Sequence, residues 1–123
     1  TAVHATSTKL RRLTKRAQFL RAASGTRANR SGLGLHMTAT ADDLPGVGYT
    51  VTKKAGNAPQ RNRIKRRLRA VTKACAASFQ PRHDYVLLGR SEALDESFAG
   101  LVRSLESLLA RVHANREQPK RTE

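Results

Sequence analysis

The sequence predicts an α+β fold, a two-layer α-β sandwich with a small sheet. Residues 33–38 and 47–52 alternate apolar and polar side chains, which is typical of strands buried on one face. Residues 58–78 and 94–112 repeat apolar side chains every three or four positions, which is typical of amphipathic helices. The 123 residues suit one domain with a single core, built of aliphatic side chains because aromatic residues make up only 4%.

The two ends of the chain differ from this central domain. Residues 1–12 lack periodicity and are expected to form a flexible basic arm. Residues 13–114 contain the predicted elements and form a single domain, and residues 115–123 form a polar tail that is expected to fray. The sequence shows no internal repeat and no second domain.

A short helix is predicted first, over residues 14–24, with Thr14 as its N-cap and Gly25 at its end. Phe19 lies beside the apolar stripe of this helix rather than within it. The stripe is expected to face the core and consists of Ala17, Leu20 and Ala23.

Two strands are predicted next. Their inward-facing residues are Leu33, Leu35 and Met37 in the first strand and Val47, Tyr49 and Val51 in the second. The turn-forming residues at 41–46, which read ADDLPG, separate the two segments. The pair is therefore expected to form an antiparallel hairpin.

The clearest helix covers residues 58–78, and it begins near Pro59 because proline is tolerated only in a first turn. Its apolar side chains lie within one narrow arc: Ile64, Leu68, Val71 and Cys75. Cys75 is the only cysteine, which excludes an internal disulfide, and it is predicted to be a buried core thiol.

A strand and a helix complete the predicted fold after Pro81. The strand is the apolar run YVLLG at 85–89, and Asp84 before it is expected to pair with Arg82 or Arg90. The helix is expected to pack against the core through Leu94, Phe98, Leu101, Leu105, Leu108 and Val112.

Charge indicates the kind of partner. Lys and Arg number 24 against 9 acidic residues, which gives a formal net charge of +15. Such a chain requires a polyanion. Because no apolar run approaches the roughly 18 residues of a membrane span, we expect nucleic acid rather than a membrane. No acid occurs before Asp42 or between Asp43 and Asp84, so this part of the chain is expected to contact the polyanion.

The most basic stretch, residues 53–69, reads KKAGNAPQRNRIKRRLR. It places Lys53 and Lys54 beside a helix N-terminus, where backbone N–H groups also favour phosphate. Arg61 and Arg63 can each bind phosphate oxygens through two hydrogen bonds, and Asn62 can bind a base edge or a ribose hydroxyl. A merely solvated basic face is the alternative, and the density of arginine without any acid argues against it.

This stretch resembles the signature of the bacterial ribonuclease P protein family, KKxGNAxxRNRxKRxxR. The segments RLTKRAQF, VGYTVTKK and DYVLLGR resemble other parts of the family in the same order, over roughly residues 10–112. The resemblance implies an αβββαβα order with a small mixed sheet and a left-handed crossover between parallel strands. It also implies an additional strand near residues 26–30.

The function that the resemblance implies is that of the protein subunit of ribonuclease P. Such a subunit binds the catalytic RNA and the 5′ leader of precursor tRNA in the cytoplasm and assists endonucleolytic 5′ maturation, while the RNA performs catalysis with Mg²⁺. The residues implied to bind the catalytic RNA are Lys53, Lys54, Asn57, Arg61, Asn62, Arg63, Lys65, Arg66, Arg67 and Arg69. Those implied to bind the leader are Arg16, Phe19 and His36. Ala23 and His36 stand where some relatives have aromatic residues, so leader contacts are expected to depend more on charge.

Other functional classes remain as alternatives. A structural RNA-binding protein of the ribosomal type explains the charge equally well, but explains the spacing of the signature less well. A helix-turn-helix DNA-binding protein would need a helix directly before the basic one, where strands are predicted instead. An unassisted nuclease would need clustered carboxylates or paired histidines, but the four histidines are scattered and Asp42–Asp43 fits a turn.

Overall fold

The structure, a computed structural model, describes residues 9–30 and 32–116. Within these residues it has five strands: β1 (Arg11–Arg12), β2 (Thr26–Arg30), β3 (Leu33–Ala39), β4 (Gly46–Val51) and β5 (His83–Gly89). The described part of the chain also has three α-helices: α1 (Arg16–Ala23), α2 (Ala58–Ala74) and α3 (Phe98–Arg116). Single 3₁₀ turns occur at Lys53–Ala55, Ala76–Ser78 and Ser91–Leu94.

The strands form one mixed sheet in the order β1-β4-β5-β3-β2. β4 is parallel to both β1 and β5, whereas β3 is antiparallel to both β2 and β5. Helix α2 connects β4 to β5, because parallel neighbours need a crossover rather than a tight turn. The predicted α+β sandwich and the additional strand at residues 26–30 are confirmed, and the left hand of the crossover stays a prediction.

The predicted hairpin of β3 and β4 is wrong, because β5 lies between these two strands. Leu87 of β5 is opposite Leu35 of β3 on one side and opposite Tyr49 of β4 on the other. The run YVLLG is almost continuously apolar, and such a strand gains most from a central position with both faces buried. The loop at residues 40–45 therefore passes the end of β5 and connects two strands that are not adjacent, instead of forming a tight turn.

Residues 11 and 12, predicted to belong to a flexible arm, instead form the edge strand β1. Arg11 donates a hydrogen bond through Nη2 to the carboxylate of Asp84, which is 1% exposed, and its Nε lies 3.3 Å from Asp42. A buried carboxylate requires an opposite charge. The ion pair between Arg11 and Asp84 of β5 therefore anchors β1 to the sheet. The predicted partners of Asp84, Arg82 and Arg90, are wrong; the second partner is Arg21, at 4.0 Å.

The main core lies between the sheet and the pair α2 and α3, and we call this side of the sheet the helical face. The predicted stripe of α2 is confirmed, because Ile64, Leu68, Val71 and Cys75 are all buried. Burial raises the pKa of the Cys75 thiol to about 12, so it is a core side chain rather than a reactive one. In α3 the stripe is buried from Leu101 to Val112, but Phe98 is 46% exposed.

The opposite side of the sheet, which we call the open face, is covered in part by α1. This helix begins at Arg16 with Lys15 as its N-cap, so the predicted N-cap Thr14 is wrong by one residue. The predicted stripe is also wrong, since Leu20 is 56% exposed while Ala22 is fully buried. A small cluster formed by Leu13, Phe19, Ala22, Val86 and Leu88 selects this rotation of the helix.

Candidate nucleic-acid interface

The start of α2 is held by a capping box. Asn57 accepts a hydrogen bond from the backbone N–H of Gln60 at 2.9 Å, and the Gln60 side chain accepts one from the backbone N–H of Asn57 at 2.9 Å. Gly56 precedes them with a φ of 147°, a conformation that favours glycine, and a Cβ there would meet Gln60 at 2.5 Å. Much of the signature thus builds the helix start, and the side-chain oxygen of Asn57 is used for capping.

Lys53 and Lys54 lie in the 3₁₀ turn that leads into this helix start, and both are exposed. The first turn of α2 contains no acidic residue. Unpaired backbone N–H groups and the helix dipole favour an anion at this end of a helix. The two lysines and the helix start therefore form one positive surface.

The basic side chains of α2 form two rows. One, the flank row, runs beside β4 and consists of Arg61, Lys65, Arg69 and Lys73. The other, the outer row, is exposed to solvent and consists of Arg63 and Arg66 together with the neutral amide of Asn62. Within residues 9–30 and 32–116, no cation of either row forms an ion pair, so these charges are available to a polyanion.

A small hollow of about 160 Å³ lies where α2 begins beside the end of β4. Arg61, Asn62 and Lys65 line it, together with Val51 and Ala58. It brings two cations and an amide against a limited apolar surface, which suits a ribose-phosphate unit. Three residues predicted from the sequence to bind RNA are thus brought together by the fold.

Arg67 differs from the other arginines of α2. It is half-buried on the opposite flank, where its Nη2 donates a hydrogen bond to the backbone carbonyl of Glu96. Its Nε is buried and has no partner among the described residues. Arg67 therefore ties α2 to the segment before α3, and its predicted role in RNA binding stays a prediction.

The leader-binding residues predicted from the sequence lie elsewhere, on the open face. Phe19 is half-buried and packs against Val86 and Leu88. Its ring also lies close to the backbone of Gly48, where a Cβ would come within 2.6 Å of the ring. Arg16 is exposed on the same helix. The exposed part of the Phe19 ring can therefore stack on a base, with a cation nearby.

His36 projects from β3 to the open face, since its neighbours Leu35 and Met37 are buried on the helical face. Burial, followed by the nearby charges of Arg27 and Arg90, lowers the pKa of His36 below 6.5. Arg27 is the cross-strand partner of His36. Arg90 donates a hydrogen bond to Asn29 at 2.5 Å beside the same strand.

The sequence did not single out Arg27 or Asn29, and it indicated Arg90 only as a partner of Asp84. Their placement depends on the pairing of β2 with β3 and on the end of β5, so no local pattern reveals it. That Arg27 lies opposite His36 can be predicted only when the register of the two paired strands is known.

The structure does not bring the two predicted sets of residues into one site. The rows of α2 lie on the helical face, and Phe19 and His36 lie on the open face, with the sheet between them. The described residues contain no group of three or more His, Cys, Asp or Glu that could hold a metal ion. No described helix is both long and apolar enough to cross a membrane.

A compact α-β domain with two positive surfaces and a capped basic helix defines the class of protein, a nucleic-acid-binding module. The family model of ribonuclease P matches residues 8–113. The chain is 42% identical over 110 residues to the ribonuclease P protein component of Ruegeria pomeroyi, covering 83% of this chain and 86% of that protein. The counterpart from Paramagnetospirillum magneticum is 42% identical over 115 residues, with 86% and 85% covered. The chain belongs to the ribonuclease P protein family.

Solved structures agree with this assignment. The RNase P protein of Staphylococcus aureus is 30% identical and superposes with a TM-score of 0.71, covering 85% of this chain and 98% of that chain. The protein from Thermotoga maritima, at 24% identity, has a TM-score of 0.72 and bears on the fold alone. The predicted function in tRNA 5′ processing is confirmed with the family.

Proposed function

We propose that this protein binds the catalytic RNA of ribonuclease P along α2 and the 5′ leader of precursor tRNA across the open face. The observation that supports this division most directly is the position of the two positive surfaces on opposite sides of one sheet. A protein that joins two RNAs needs such an arrangement, because each phosphate backbone then meets its own set of cations.

Along α2, the helix start and its two lysines bind phosphate, and the outer row extends this contact over the solvent side of the helix. Arg63 and Arg66 can form paired hydrogen bonds with phosphate oxygens, and Asn62 between them reads a base edge or a 2′-hydroxyl. Because these side chains have no acidic partner in the described structure, binding does not first have to break an ion pair.

Across the open face, Phe19 provides the stacking surface for a leader base, while Arg16, Arg27 and Arg90 meet the phosphates. Burial and the nearby arginines lower the pKa of His36 and so favour its neutral form, which acts there as a hydrogen-bonding group. Leader recognition therefore combines one aromatic contact with backbone charge. It does not rely on a row of aromatic side chains.

The chemistry belongs to the RNA subunit, which hydrolyses the phosphodiester with Mg²⁺ in the cytoplasm. The protein reduces the repulsion between the two RNAs and holds the substrate in place. The first test is cleavage of precursor tRNA by the protein, the RNA and both together over a range of Mg²⁺ concentrations. We expect cleavage by the RNA alone only at high Mg²⁺, and a lower requirement with the protein. Cleavage by nuclease-free protein alone would overturn the proposal.

A second test separates the two faces. Phe19→Leu keeps an apolar side chain in the small cluster but removes the aromatic ring, so we expect it to weaken binding of precursor tRNA about tenfold. Binding of mature tRNA and of the catalytic RNA should not change. Arg63→Ala should weaken binding of the catalytic RNA and spare leader discrimination, and Arg103→Ala on α3 is the matched control. If both test variants weaken binding of the same RNA, the division between faces is wrong.

A further inference from the structure

A second cavity, of about 320 Å³, lies between β1, β4 and the C-terminal half of α2. It is separate from the hollow at the start of α2 and lies on the helical side of the sheet edge, away from Phe19 and His36. Its lining includes Leu10, Arg12, Tyr49, Arg69, Thr72 and Lys73. Its volume is at the lower end for small-molecule sites, so it admits one nucleotide but not a duplex.

The rim of this cavity is cationic and its floor is apolar. Arg12 projects to the same side as its cross-strand partner Val47, whereas Arg11 projects to the other side and is bound to Asp84. Among the described residues, Arg12, Arg69 and Lys73 form no ion pair. The guanidinium of Arg69 lies 5.9 Å from the centre of the Tyr49 ring. An aromatic ring beside a guanidinium plane is a surface on which a base stacks.

Thr72 provides a separate observation. Its side chain lines the cavity and is 2% exposed, yet its hydroxyl has no hydrogen-bond partner among the described residues. A buried hydroxyl without a partner is costly and uncommon. In helices a threonine uses either of two χ1 rotamers, so this hydroxyl can turn toward a polar group that enters the cavity.

We propose that this cavity holds one unpaired nucleotide of the partner RNA, with its base on Tyr49 and Arg69 and its phosphate between Arg12 and Lys73. The flank row leads to it, since Arg61 and Lys73 are joined by three successive steps of four residues, about 18 Å along the helix axis. An RNA bound at the start of α2 therefore continues along one line of cations to the cavity. The inference rests on the proposed docking of the catalytic RNA along α2.

The first experiment titrates the full chain with AMP, adenosine and inorganic phosphate, with amide chemical shifts as the measurement. We expect AMP to shift Tyr49, Thr72 and Lys73 in a saturable way, with weaker binding of either part alone. Tyr49→Leu should weaken AMP binding about tenfold and leave phosphate binding unchanged, whereas Lys73→Gln should weaken both. Arg103→Ala is the control. Shifts that do not saturate, or AMP binding unaffected by both cavity variants, would overturn the inference.

The second experiment identifies the RNA and separates the inference from the docking on which it rests. Lys73→Cys and Arg63→Cys each carry a photoreactive group, while the native Cys75 is buried, has a raised pKa and stays unlabelled. In the reconstituted holoenzyme with precursor tRNA, both positions should crosslink to the catalytic RNA. Crosslinking from position 63 alone, or from position 73 to precursor tRNA alone, would overturn the inference. If neither position crosslinks to the catalytic RNA, the proposed docking fails as well.

Discussion

The salt dependence of RNA binding tests how many α2 cations contact phosphate. From Lys53 to Lys73 the sequence has nine cationic side chains. We expect Arg67 not to contact phosphate, because its Nη2 donates a hydrogen bond to the carbonyl of Glu96, and this leaves eight. Each neutralised phosphate contributes a log–log slope of roughly −0.7 to −0.9. With about five to eight contacts, the affinity for the catalytic RNA should fall with a slope of about −4 to −7 at fixed Mg²⁺.

Two arginines of the same helix are expected to behave in opposite ways. Arg63→Ala removes an exposed cation of the outer row, so the slope should flatten by about one unit while stability is almost unchanged. Arg67→Ala removes the hydrogen bond to the carbonyl of Glu96, so the free energy of unfolding should fall by about 1–3 kcal/mol while the slope stays the same.

Binding of the labelled RNA subunit, measured by anisotropy between roughly 50 and 200 mM monovalent salt, provides the slopes. Urea unfolding provides the stabilities, and Arg103→Ala on α3 is the control for a loss of charge away from α2. Equal slopes for the wild type and folded Arg63→Ala would remove the outer row from the interface. A flattened slope for Arg67→Ala with unchanged stability would refute the tethering role of Arg67.

Three further predictions concern the core and the open face. Leu68→Ala should lower the free energy of unfolding, measured in urea, by about 2–5 kcal/mol. Leu68 is 0% exposed, and Gly89 beside it has no side chain that could fill the cavity. A smaller loss would mean that the helix moves onto the sheet and closes the cavity. Asp84→Asn should cost about 2–3 kcal/mol by the same assay, since among the described residues it leaves Arg11 with Asp42 as its acidic partner. An unchanged midpoint would argue against the anchoring of β1. The pKa of His36, measured by NMR, should lie below 6.5, and this pKa should rise when a leader oligonucleotide binds. Its contribution to stability should begin to be lost as the pH falls below 6.5 and be fully lost below the lowered pKa of the folded state, because the unfolded chain takes up the proton more readily in that range. A pKa of His36 unmoved by the leader would place it outside the contact.

The extent of what local sequence predicts is clearest in α2. Four buried positions and a proline in the first turn follow from short-range rules, and the structure agrees with each of them. The exposed cations of the outer row follow in the same way, because a helix that buries one arc must expose the opposite arc.

Helix α1 shows where the same reasoning fails. Its eight residues allow more than one apolar stripe, and the predicted one contains Leu20, which the structure exposes. The choice is made by Val86 and Leu88 of β5, against which Phe19 packs. A short helix with a weak pattern is therefore oriented by the surface that receives it.

The sequence by itself determined the class of elements, the strong core stripe of α2 and the polyanion as partner, because each depends on neighbours along the chain or on total charge. Tertiary structure alone decided that β5 separates β3 from β4, that Arg11 balances the buried Asp84, and that Arg67 faces inward. It also decided that Arg12 meets Lys73 across a cavity and that Arg27 lies beside His36. The physical reason is common to all of these: strand order and register bring together residues far apart in sequence, and only the competition among whole surfaces for burial selects which of them meet.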